Sequence, residues 1–233
     1  MKQNLFCGVL AVIFDFDGTI ADTFRLHEDA FLKALSPYPV KFDYSDYLGM
    51  STQDAIALIF SNNQHSLSND ELKKLVSLKR MYANQSYTTA LQPLPGAIEF
   101  IRLLYSERLL LFIASSGSKM NINAGIEALG IGSYLTDVFT ADDVKKAKPD
   151  PEIFQSVLDK YRIETGKALV IEDALSGIRA SRAAGINVIS VNPELESEKE
   201  ITPPVRCMTY RMLINEFIEN AGKEKSTHHN SHL

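Results

Sequence analysis

Five stretches of this chain are apolar without the alternation of a half-exposed strand, and that property restricts the fold more than any other. They are residues 9–14, 109–114, 138–140, 168–171 and 187–191. Strands of this kind are covered on both faces, as in a parallel sheet flanked by helices. Helical spacing fills the intervals at 97–105, 120–129, 151–161 and 175–184, the last stopped by Gly185. The alternation predicts an α/β fold with a Rossmann-like parallel sheet core. About ninety residues without a convincing strand separate the first two runs. Within them 24–35, 52–60 and 70–83 have helical spacing, which predicts an inserted α-helical cap domain. "LQPLPGAIEF" (91–100), with Pro93, Pro95 and Gly96, marks the return to the sheet. The expected division is residues 1–22 and 95–220 as catalytic core and 23–94 as helical cap. A polar tail, 221–233, is expected to be disordered, with His228, His229 and His232 read as solvated rather than as metal ligands.

The first strand ends in "FDFDGT", with Asp15 and Asp17 on either side of Phe16. Ligands of an open parallel sheet bind beyond the carboxyl ends of its strands. Residues i and i+2 of a strand share a face, so both carboxylates can approach one point. At a separation of ~6 Å and an effective dielectric of ~20 they repel by ~3 kcal/mol, and a cation should compensate. A hard divalent ion such as Mg²⁺ suits carboxylate ligands and keeps room for phosphate oxygens. Gly18 permits a tight turn, and Thr19 offers a hydroxyl and an amide. Taken alone, the stretch reads equally as a turn capped by its own aspartates.

Three further strand ends change that balance. "LFIASSGS" supplies Ser115 and Ser116, small hydroxyl donors suited to phosphate oxygens. "KKAKPDPEIF" supplies Lys148, whose backbone is restricted by Pro149. "ALVIEDALSG" supplies Glu172 and Asp173, a second acidic pair. Acidic, hydroxyl, cationic and acidic groups at four strand ends are difficult to explain as packing.

Bulk properties narrow the partners. The chain has 233 residues, enough for one large domain or two modest ones. A net charge of -5 argues against nucleic acid or an anionic membrane as partner. The apolar N-terminal run stops at Asp15, too short to span a bilayer, and Phe6–Cys7 does not look like a signal-cleavage site. Two cysteines make no disulfide framework. A cytoplasmic monomer acting on a small phosphorylated metabolite is expected.

Taken in order, "DFDGT", the serine of "IASSG", the lysine of "KPDP" and "IEDALSGIRASRAAG" closely resemble the four motifs of the haloacid dehalogenase-like hydrolase superfamily. The likeness covers residues 9 to about 192 and is strongest to the branch of β-phosphoglucomutase and small sugar-phosphate phosphatases. It implies Asp15 as nucleophile, forming an aspartyl-phosphate. It implies Asp17 as the acid that protonates the leaving oxygen and the base that then activates water. It also implies Mg²⁺ held by Asp15, Asp173 and the main-chain carbonyl of Asp17, with Glu172 in support. Ser115 and Lys148 would hold the phosphoryl oxygens, and positioning with electrostatics would supply most of the catalysis. Relatives that cleave carbon–halogen or carbon–phosphorus bonds lack the second aspartate.

Within the branch, His27 matches a histidine that in β-phosphoglucomutase couples cap closure to the general acid. Lys79 falls where the mutase has a substrate-binding lysine. Thr52 stands where the mutase has an arginine gripping a second phosphate, a bidentate donor this chain lacks. The reading is therefore a Mg²⁺-dependent phosphatase of a sugar, polyol or phosphoglycolate-like monoester, with a mutase as alternative and a non-catalytic regulatory protein behind it. A response-regulator receiver, which uses similar groups, would be about half as long and lack both the insertion and "DFDGT".

Overall fold

In a computed structural model, residues 5–48, 50–199 and 202–229 are described, with side chains as far as residue 220. The first strand, β1 (Ala11–Phe14), leads into a short segment β2 (Ala21–Asp22). The helices α1 (Phe24–Leu35), α2 (Thr52–Asn62) and α3 (Asn69–Ala90) come next. The chain returns through β3 (Gln92–Pro93), which pairs antiparallel with β2. Thereafter α4 (Ala97–Ser106), β4 (Leu110–Ala114), α5 (Lys119–Leu129), β5 (Asp137–Phe139) and α6 (Glu152–Tyr161) alternate. The remaining elements are β6 (Ala168–Glu172), α7 (Leu175–Ala183), β7 (Asn187–Ser190), β8 (Arg206–Cys207) and α8 (Tyr210–His229).

Six strands form one parallel sheet in the order β5-β4-β1-β6-β7-β8. Its central strand explains the absent alternation. Val12 and Phe14 enter a cluster with Phe100, Leu104 and Leu213, whereas Ala11 and Ile13 enter another with Phe154, Val157 and Ala180. Both faces are dry, so neither admits a polar residue. The inserted helices have a third cluster of their own, built on Phe31, Leu35, Ile56, Ile59, Phe60 and Leu75.

Three departures from expectation have physical causes. The sixth strand, β8, is two residues long and only half-buried, too short to leave an apolar run. The helix α3 continues seven residues past Ala83 because no Gly or Pro interrupts "NQSYTTA". The polar tail expected to be disordered continues α8 to His229, and "KEK" within it is a good helix-former; residues 230–233 lie outside the described residues, His232 among them. Among the described residues no helix is long and apolar enough to cross a membrane.

Phe100 is fully buried on α4, its ring edge-on to Phe14 and Phe6 and tilted against Tyr210. Phe100→Ala removes this junction of sheet, α4 and α8, and should cost about 3–5 kcal/mol. Urea unfolding of the two proteins gives the value; a loss under about 1 kcal/mol would mean that the neighbours collapse into the space.

Candidate active site

The motif residues meet at the carboxyl edge of the sheet because β1, β4 and β6 are neighbours in register. Asp15 leaves the end of β1, and its amide still donates to Ile171 O of β6. Ser115 comes directly after β4, with its amide on Phe139 O of β5. Glu172 ends β6, with Asp173 after it. Between β1 and β2 the chain turns at Gly18, whose φ of +72° is left-handed and whose missing Cβ would run into the Asp173 carboxylate. Gly177, in the first turn of α7, does the same for Glu172, since any side chain there would overlap its carboxylate.

Lys148 lies across these strand ends. Its Nζ donates to Asp15 Oδ1 at 2.7 Å, to Glu172 Oε1 at 2.6 Å and to Ala114 O at 2.8 Å. All three ammonium protons are thereby used. Glu172 Oε2 accepts from the amides of Asp173 and Ala174, so Glu172 is fixed at both oxygens. Thr19 Oγ1 donates to Asp173 Oδ1 at 3.1 Å. Ser115 is buried, its Oγ accepting from the Gly117 amide, and Ser116 lies beside it on the cleft wall.

Asp15, Glu172 and Asp173 each place a carboxylate oxygen within 4.8 Å of the others. Burial, then the charges of Glu172 and Asp17, push the Asp15 carboxyl up to about 7 against the pull of Lys148. Burial and the acidic neighbours Glu172 and Asp15 hold Asp173 well above the usual carboxylate range. A freely ionised Asp15 therefore requires more positive charge than Lys148 provides. This donor set fits a hard divalent cation, which takes oxygen ligands and offsets their repulsion.

Asp17 turns the other way. Its carboxylate is absent from the acidic cluster and bonds to the inserted helices, while it still lines the same cleft as Asp15 and its charge acts on Asp15. Regular strand geometry ends at Phe14, and the turn through Gly18 re-aims the chain beyond it. Asp17 Oδ1 lies 3.1 Å from His27 Nε2 on α1 and accepts a hydrogen bond from Tyr87 on α3. Tyr87 Oη is 2.9 Å from the same His27 nitrogen, and Lys79 Nζ is 2.7 Å from His27 Nδ1. Burial and the adjoining Lys79 ammonium lower the pKa of His27, so the ring is neutral at pH 7. With Lys79 donating to Nδ1, the ring proton sits on Nε2 and points at Asp17. Burial would raise Asp17, but donors from His27, Tyr87 and Thr23 hold it below the usual carboxylate range.

Between core and insert lies a cleft of about 330 Å³, lined by Asp15, Asp17, His27, Lys79, Ser115 and Lys148 among others. Thr52, at the start of α2, also lines it. Lys79, expected to bind substrate, is buried and committed to His27, with its ammonium 4.8 Å over the Phe31 ring. Tyr87 lies beyond the helix expected to end at Ala83, and the motifs do not mark it. Leu75, Lys79, Ala83 and Tyr87 form one buried stripe at intervals of four, and that spacing was the available signal.

Raising the folded-state pKa of Asp15 above its unfolded value makes the metal-free fold lose stability as pH rises from about 4 to about 7. Asp15→Asn lacks this cost. In chelator, its melting temperature relative to wild type should therefore climb across that window. A flat difference would mean that Lys148 fully offsets burial at Asp15.

A sequence profile of haloacid dehalogenase-like hydrolases matches residues 12–191. The phosphorylated carbohydrates phosphatase of Thermotoga maritima is 29% identical over 182 residues, covering 77% of this chain and 83% of its own length. The fructose-1-phosphate phosphatase of Escherichia coli is 30% identical over 186 residues, covering 77% of this chain and 95% of its own. Among solved structures, a β-phosphoglucomutase from Clostridium difficile superposes with a TM-score of 0.78 at 26% identity, over 94% of this chain and 99% of its own. Four motifs on neighbouring strand ends, a profile spanning the sheet from β1 to β7 and relatives aligned over most of their length agree: the chain belongs to the haloacid dehalogenase-like hydrolase family.

Proposed function

We propose that this chain is a Mg²⁺-dependent phosphatase of a small phosphate monoester, with Asp15 as covalent nucleophile and residues 23–94 as a cap over the cleft. One observation carries the reading. Asp15 is fixed by Lys148 on the core side, while Asp17, two residues on, is tied to the insert. One carboxylate is thus placed to attack and the other to exchange protons with whatever enters between them.

In the first half-reaction an Asp15 oxygen forms a bond to phosphorus as the ester P–O bond breaks. The departing oxygen takes a proton from Asp17, which is held ionised in the substrate-free site and so must take up that proton as the ester enters. In the second half, Asp17 takes a proton from water as that water bonds to phosphorus, and the Asp15 O–P bond breaks, which returns the Asp15 carboxylate and releases free phosphate. Ser115 offers its hydroxyl proton to a phosphoryl oxygen, its own lone pair being taken by the Gly117 amide. Lys148 restrains Asp15 and counters its charge. Mg²⁺, held by Asp15, Asp173 and the Asp17 carbonyl with Glu172 behind them, would supply the charge that keeps Asp15 ionised and offsets that of the phosphoryl group. The cap excludes water while the ester is intact.

The substrate class rests on the relatives, two of which bear names of sugar-phosphate phosphatases, and on a cleft sized for a small molecule. A phosphoglucomutase-type transfer is the second reading, favoured by the superposition. Against it, Thr52 offers a single hydroxyl where the mutase has its arginine, and the guanidinium that does line the cleft, Arg80, comes from a different helix.

A phosphate-release screen over sugar phosphates, phosphoglycolate and nucleotides with Mg²⁺ tests the proposal. EDTA should abolish turnover, and Asp15→Asn should lose at least ~10³-fold while remaining folded. Wild-type turnover in Asp15→Asn would sink the covalent mechanism. Rapid glucose 6-phosphate formation from β-glucose 1-phosphate primed with glucose 1,6-bisphosphate, with negligible free phosphate, would select the mutase.

A further inference from the structure

Tyr87 takes part in the Asp17 network, and the catalytic scheme gives it no task. It is fully buried on α3, its ring stacked near Phe16 at 6.3 Å and edge-on to His27 at 5.7 Å. Packing would account for a phenylalanine here, but not for a hydroxyl placed against a carboxylate and an imidazole in a dry site. A buried hydroxyl without a partner is costly, and this one donates to the Asp17 carboxylate, with His27 Nε2 alongside at 2.9 Å.

We propose, building on the phosphatase reading, that Tyr87 is a positioning residue that aims Asp17 at the leaving-group oxygen. Both cap donors, the Tyr87 hydroxyl and the His27 Nε2–H, fall on the same atom, Asp17 Oδ1. That oxygen is occupied from the cap side. When Asp17 is protonated, its proton therefore resides on Oδ2, the oxygen that can turn to the ester. Two donors from two helices also fix the plane of the carboxyl group, because a single hydrogen bond leaves it free to rotate. Tyr87 arrives from α3 and His27 from α1, beside a third donor from Thr23 at the N-cap of α1, so the seating of both helices over the core completes the aim of the carboxyl. No bond to phosphorus involves Tyr87, and its own proton stays on oxygen throughout.

The test uses the dependence on leaving group. An alkyl phosphate needs its departing oxygen protonated, whereas p-nitrophenyl phosphate releases a stable phenolate without help. For both, kcat/KM reports only steps through phosphoryl transfer to Asp15. Tyr87→Phe keeps the ring and its packing. It should lower kcat/KM for the best alkyl phosphate by about ten-fold or more, a share of the ~10²–10⁴-fold that a placed acid supplies. The loss on p-nitrophenyl phosphate should stay under about three-fold, with KM for the alkyl ester little changed. In an Asp17→Asn background the same change should add less than about two-fold, since its target is gone. Equal losses on the two esters, no loss on either, or a full additional loss in the Asp17→Asn background would each overturn the inference. Wild-type protein inert toward both esters would overturn the phosphatase reading first, so the two failures are distinguishable.

Discussion

The ammonium of Lys148 is the interaction on which the site depends. Three strand ends converge on it: Asp15 from β1, the Ala114 carbonyl from β4 and Glu172 from β6. A lysine this deeply buried is tolerable only when every proton has a partner and the net charge around it is negative. The acidic groups in turn are tolerable only because the lysine is there. Parallel pairing of β1 with both β4 and β6 sets these partners at the right spacing, so sheet register and the charge balance of the site are one requirement. Gly18 and Gly177 serve the same arrangement by leaving room for Asp173 and Glu172. The remaining excess of negative charge is what makes the site receptive to a divalent cation.

The second half of the site has a different logic. Around Asp17 the partners are neutral or weakly basic, and they come from helices outside the sheet: His27 from α1, Lys79 and Tyr87 from α3. Burial lowers the pKa of Lys79 to about 8, partly offset by Asp17, so its charge is less secure than that of Lys148. Adjacent aspartates thus experience contrasting surroundings, one in a rigid ionic lattice and the other in a hydrogen-bonded chain that depends on how the insert is seated. Such a contrast lets two identical side chains take separate roles.

The core half was legible in the sequence because its signals are local. Each motif group stands at the end of an apolar run, and four such ends in a parallel sheet must meet at one edge. The cap half was less legible because its signal is a helical phase. Lys79 and Tyr87 are eight residues apart, so they share a face only if α3 continues unbroken between them. A helix stopping at Ala83 leaves Tyr87 out. The separate partners of Asp15 and Asp17 within one cleft were hidden for a related reason. The i, i+2 rule holds inside a strand, and the chain has already left β1 at this point. The strand β8 was invisible because two residues carry no pattern.

The paired segments β2 and β3 bring Ala21 opposite Pro93 and Asp22 opposite Gln92. The insert thus leaves and re-enters the sheet at one place. The central strands β1 and β4 are far apart along the chain, and closing so long a loop would ordinarily slow their pairing. Once α1, α2 and α3 have collapsed on their own apolar cluster and the two segments have zipped, the intervening chain is already closed. The entropic distance between β1 and β4 then shrinks to that of a short connection. The insert can thereby act during folding as a preassembled bridge, allowing a sheet of long-range contacts to form with the kinetics of a more local one.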